Sequence, residues 1–107
     1  MRRISYDGVA VATDDAVADA VIQLAIAIAR YGRYEPVTIP VLVDGRGEEL
    51  TLMLGPTIHI SSLTFPSPPG VVVDGAEAAA SGIRARIRAL DGPLHLIDGG
   101  PQDQAVS

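Results

Sequence analysis

The chain has 107 residues and a formal net charge of −5, with 48% hydrophobic and 20% charged residues. That length makes one domain, able to bury roughly 65% of the surface its unfolded form exposes. The composition is that of a globular chain and not a disordered one. Without cysteine there is no disulfide, thiolate nucleophile or cysteine-based zinc site, and without lysine there is no Schiff base, P-loop lysine or lysyl-adenylate nucleophile. A negative chain with three Tyr, one Phe and no Trp suits neither phosphate contacts nor base stacking, so no nucleic-acid partner is expected.

Met1-Arg2-Arg3 leads into a strand-like stretch and not into the apolar core of a signal peptide, so a reducing, cytoplasmic setting is expected. Arg3–Ala12 places Asp7-Gly8 between alternating segments, which predicts a type I′ hairpin with Tyr6 beside Val9 and Ile4 beside Val11, a single strand bulged at Gly8 being the competing reading. The stretch Asp14–Arg30 follows. At 100° per residue Val17, Val21, Leu24 and Ile28 share one face, and Asp15, Asp19, Gln23 and Arg30 form a narrow polar stripe opposite. Thr13 is the expected N-cap, and Gly32 stands where a left-handed C′ residue is wanted. Asp19, Gln23 and Arg30 interrupt the apolar run, so no membrane span is expected.

Glu35–Val43 alternates Val37, Ile39, Val41 and Val43, and its two prolines, Pro36 and Pro40, predict an edge or bulged strand. Asp44–Gly47 reads as a turn, and Glu48–Leu54 alternates Leu50, Leu52 and Leu54 with polar residues. Ile58–Phe65 reads as a strand bulged near Ser61-Ser62, because the apolar parity changes between Ile60 and Leu63. Val71–Val73 is apolar and reads as a short strand. Asp74-x-x-Glu77 then opens a second helix to about Leu90, with Ala76, Ala80, Ile83, Ile87 and Leu90 inward. Gly92-Pro93 is expected to stop it, leaving Leu94–Ile97 as a last strand. The order is hairpin, helix, three-stranded meander, helix, strand. This is an α+β two-layer sandwich with a mostly antiparallel sheet and both helices on one face, spanning residues 1–100, with 101–107 a frayed tail.

Thr13-Asp14-Asp15, Leu54-Gly55-Pro56-Thr57-Ile58 and Pro93-Leu94-His95-Leu96-Ile97 give the chain a pattern that resembles a family of small uncharacterised actinobacterial proteins. Such proteins begin with a short hairpin, continue with an Asp-Asp-initiated helix and carry a strand–turn–strand before a second helix. The chain departs from them in lacking an aromatic-rich second helix. Members are sometimes labelled DNA ligases, but ligase adenylation uses a lysine and this chain has none. The resemblance implies an architecture and no activity.

His59 and His95 are the two histidines, and both alternate with apolar neighbours on expected strands. Side by side on an open sheet face, with Asp98 near, they would make a ligand-binding site. Their spacing is not that of metal ligands, so no metal and no cofactor are expected. Ser61-Ser62 lacks a nucleophile-elbow context, and Asp14, Asp15 and Asp19 are explained by the helix dipole. Asp44–Gly47 has neither the helix nor the lysine of a phosphate cradle. Arg84, Arg86 and Arg88 do not share one helix face.

Ile26 falls inside the polar stripe of the first helix, with Ile22 at its margin and Ala16, Ala20 and Ala27 flanking that side. These residues predict an oligomer interface at Ile22 and Ile26, hence a homodimer, with some other protein as a further partner. The expectation is a small intracellular interaction or accessory module without catalytic activity. The alternative is a small-ligand-binding protein or minor enzyme using the sheet face around His59 and His95.

Overall fold

The computed structural model describes residues 1–98, with side chains described to residue 90. Five strands and two helices follow in the order β1 (Arg2–Tyr6), β2 (Val9–Thr13), α1 (Asp15–Arg30), β3 (Glu35–Val43), β4 (Arg46–Leu54), β5 (Ile60–Thr64) and α2 (Ala76–Asp98). All neighbouring strands pair antiparallel in the spatial order β4-β3-β2-β1-β5, and the helices cover one face. The fold class is α+β, as the alternation implies.

Two Asp-Gly hairpins set the register. Asp7 and Gly8 both have positive φ, as do Asp44 and Gly45, which two-residue turns matching the twist of the strands require. Tyr6 accordingly pairs with Val9 and Ile4 with Val11, while Val43 pairs with Arg46, so β4 begins two residues earlier than its apolar alternation suggests. Ile4, Val11, Val37, Ile39, Val41, Leu52 and Leu54 point to the helix side and are buried. Against them lie Val17, Val21, Leu24 and Ile28 of α1, each fully buried.

β3 is not an edge strand. It lies between β4 and β2, and its prolines explain how. The amide and carbonyl of one strand residue point to the same side. The Pro40 carbonyl points to β2, where it accepts the Thr13 hydroxyl at 2.8 Å, so Pro36 and Pro40 both turn their missing donors away from β4. The β3–β4 ladder is therefore unbroken, whereas β2 and β3 pair at one position, Ala12–Leu42. The Pro36 carbonyl accepts from Arg86 of α2 at 3.2 Å. The sheet is thus two ribbons, β5-β1-β2 and β3-β4, hinged at a single bridge.

The ribbons meet again at their other ends. The Met53 amide donates to the Tyr6 hydroxyl at 3.0 Å, although β4 and β1 stand three strands apart in the sheet order. A flat sheet would separate them by about 14 Å, so the sheet curls around α1. This curl carries the chain from β4 to the far side of β1, where Ile60 pairs with Tyr6. The expected three-stranded meander is therefore a hairpin plus a crossover.

Other expectations change with it. Asp14, not Thr13, caps α1, its carboxylate accepting the Ala16 amide at 3.0 Å, while Thr13 is buried at the end of β2. β5 runs without a bulge, because Ser62 points inward to the Arg2 guanidinium at 3.1 Å and Leu63 points out. Val71–Val73 is no strand. α2 continues through Gly92-Pro93 to Asp98, so the expected strand at Leu94–Ile97 is helical. The apolar spacing Ile83, Ile87, Leu90, Leu94, Ile97 keeps a helical period across the Gly-Pro pair, and that period outweighs the local stop signal. The expected tail at 101–107 lies outside the described residues.

Two measurements check the hinge and the curl. Thr13→Val leaves the Pro40 carbonyl without its donor and is expected to cost about 1–2 kcal/mol, read as a lower urea midpoint at unchanged m. A Cβ on Gly55 would overlap the Tyr34 ring, whose hydroxyl is 2.8 Å from that of Thr57. Gly55→Ala is expected to destabilise by about 1–3 kcal/mol, and adding Tyr34→Ala should restore part of the loss.

Candidate functional site

Both helices start at the Pro40-Val41 end of β3 and run towards its Glu35 end. Thr13 meets Pro40 just before α1, Val73 and Asp74 line a depression with Pro40 and Val41, and Arg86 pairs with Glu35 at 2.9 Å. The shared direction sorts charge. Asp14, Asp15, Asp74 and Glu77 gather at the helix N-termini, where the dipole favours anions, and Arg30 stands in the last turn of α1, where it favours a cation. Glu35 receives both Arg33 and Arg86.

Arg2 is the internal tie. Its guanidinium reaches Asp19 at 3.0 Å, Asp15 at 3.8 Å and Ser62 at 3.1 Å, joining β1 to α1 and β5. Asp15 also takes the Met1 ammonium at 2.7 Å, and that hydrogen bond, helped by Arg2, holds its carboxyl below the usual range.

The curl places His59 just ahead of β5, exposed, in an open depression of about 370 Å3 with Tyr6, Asp7, Thr57 and Ile58. His95 and Asp98 fall in the last turns of α2 and not on a strand, and their side chains lie outside the described residues. The pairing of His59 and His95 on a shared sheet face is therefore not what the backbone provides. Among the described residues no three His, Asp or Glu side chains stand together as metal ligands. A larger depression of about 550 Å3 is lined by Glu48, Glu49, Asp74 and Val73, and it too opens to solvent. Neither aims a nucleophile at a base held by a third group, which activation requires.

Ile26 is 56% exposed and Ile22 half-buried. The flanking Ala20 and Ala27 are buried in the molecule's own core and are not free for a close helix approach from outside. What α1 presents outward is Ile26 between Asp19, Gln23 and Arg30.

No described element covers the second face of the sheet. Arg3, Ser5, Ala10, Thr38, Thr51, Met53, Ser61 and Leu63 lie on it, with Arg3 5.5 Å over the Phe65 ring and Leu63 60% exposed. Sequence alternation marks this face as polar around β1 and β4, but it misreads Leu63, whose parity becomes visible only once Ser62 is seen to pair with Arg2. No described helix is long and apolar enough to cross a membrane. The chain matches no family model, no curated protein and no solved structure.

Tyr6 and His59 test which residues of this region hold structure. Tyr6→Phe removes the acceptor of the Met53 amide and should cost about 1 kcal/mol. His59→Ala, at an exposed position, should stay within about 0.5 kcal/mol of the parent. Parallel urea denaturation of the two variants distinguishes them.

Proposed function

We propose that this protein is a small, non-catalytic interaction module that works as an assembly with a second copy of itself. The observation that carries the reading is where its outward apolar side chains stand. Leu63 and Ile26, 60% and 56% exposed, stand outside both depressions, and the depressions themselves are wide open to solvent. Ligand sites concentrate apolar walls and a few aimed polar groups in a concavity; exposed apolar side chains on open surfaces instead suit cover by another protein. Ile22 and Ile26 on α1 and the open sheet with its edges are the surfaces on offer.

The small-ligand reading retains one supporting feature, the depression at His59 with the Tyr6 and Thr57 hydroxyls and Asp7 around it. Histidine proton shifts unmoved by panels of small ligands would remove it.

Light scattering across concentration tests the assembly. The expected particle mass rises towards twice the 11.1 kDa of one chain. A particle that keeps the mass of one chain at every concentration would overturn the reading.

A further inference from the structure

The sheet has two edges, β4 and β5, and they differ in a way that decides which one joins copies. β4 carries Arg46, Glu48 and Glu49, charges of the kind that keep an edge from pairing with another chain. β5, Ile60-Ser61-Ser62-Leu63-Thr64, holds no charge, no proline and no bulge. Its inner side is used. The Phe65 amide donates to the Met1 carbonyl at 3.1 Å, and by alternation Leu63 and Ser61 also bond to β1. The amides and carbonyls of Ile60, Ser62 and Thr64 therefore point outward, away from β1. No described element pairs with them.

From this edge, and resting on the self-association proposed above, we infer that β5 pairs antiparallel with β5 of a second copy, joining two five-stranded sheets into one across a two-fold axis at Ser62. The strand is complementary to itself in that register. Ser62 lies opposite Ser62 of the partner subunit and Ile60 opposite Thr64 of the partner subunit. All three outward residues then find donor and acceptor, giving about six backbone hydrogen bonds. On the helix side Ile60 meets the methyl-bearing Thr64 of the partner subunit. On the open face Leu63 lies opposite Ser61 of the partner subunit and within diagonal reach of the partner's Leu63, which covers the 60% exposed side chain.

Electrostatics favours β5 over the charged β4 edge as the place for a second copy. Each chain carries a net charge of −5, so contacts through most of its surface set like charges together. β5 is uncharged, and the nearest carboxylates on α1, Asp15 and Asp19, are already paired with Arg2. Arg3 on the neighbouring strand is the cation on the open face, and across the axis it stands about three strand spacings from its counterpart, roughly 14 Å, beyond the Debye length at physiological salt. A five-residue strand pair is a small interface, so the dimer is expected to exchange and to depend on concentration.

Thr64→Pro tests this at an exposed position whose amide β1 does not use, so the fold's own ladder is kept. Leu63→Lys is a second variant, placing a like-charged pair beside the axis without touching the core. Far-ultraviolet circular dichroism checks that each is folded, and sedimentation equilibrium reads the dimer constant. Both variants are expected to weaken dimerisation at least about tenfold, and Ile26→Glu to leave it unchanged. In the wild type the Ile60, Ser62 and Thr64 amides should gain hydrogen-exchange protection as concentration rises. A wild type that stays monomeric overturns both this inference and the proposed function. A dimer that survives both β5 variants, whether or not Ile26→Glu dissociates it, overturns the β5 pairing and leaves the self-association reading standing. A monomer whose Ser62 amide is protected overturns the pairing in favour of the chain's own residues 99–107 on that edge, and concentration-independent protection that appears only with added peptide assigns the edge to a different protein.

Discussion

Two prolines inside a sheet's interior strand decide the shape of this molecule. Pro36 and Pro40 cannot donate, and both face β2, so that side of β3 lacks two of the donors that a full ladder would use. A continuous five-stranded sheet would leave these backbone positions buried and unpaired. Instead β2 and β3 touch at one bridge, and the two orphaned proline carbonyls are taken by the Thr13 hydroxyl and the Arg86 guanidinium. With so little pairing to hold them parallel, the ribbons turn against one another and wrap α1. Burial of Val17, Val21, Leu24 and Ile28 stabilises the wrapped form.

The wrap in turn sets the chain's path. Because the end of β4 is brought to Tyr6, a short connection reaches the far side of β1, and β5 becomes an edge there. Gly55 permits the Tyr34 ring to lie across that connection, and the Tyr34–Thr57 and Tyr6–Met53 hydrogen bonds hold it. Arg2 then locks the new edge to the helix layer, binding Ser62 and Asp19 with one guanidinium. The same contact that turns Ser62 inward turns Leu63 outward, so an ion-pair network on one face creates an apolar projection on the other.

Charge follows the helices. Their common direction sets Asp14, Asp15, Asp74 and Glu77 at one end of the helix layer and Arg30 at the other, and β5, at the edge of the sheet, carries no charged residue. An acidic protein that meets a copy of itself does so at least electrostatic cost along such a strip. The imidazole of His59 shares its depression with Asp7 and the Tyr6 and Thr57 hydroxyl side chains.

The sequence alone determined the local features: the Asp7-Gly8 hairpin, a turn at Asp44–Gly47, the α1 span with its buried face, the alternation of β3 and β4, and the α+β class. Each rests on a period or turn preference expressed within a few residues. Tertiary structure alone decided the rest. Whether Pro36 and Pro40 mark an edge or a hinge depends on which side of β3 their donors would face, and that depends on β4. Whether Ser62 or Leu63 is inward depends on Arg2, sixty positions away in sequence. The extension of α2 past Gly92-Pro93, which places His95 on a helix, reflects a period longer than the local signal. Strand order, edges and surfaces arise from pairings between distant segments, and no short stretch of chain encodes its partner.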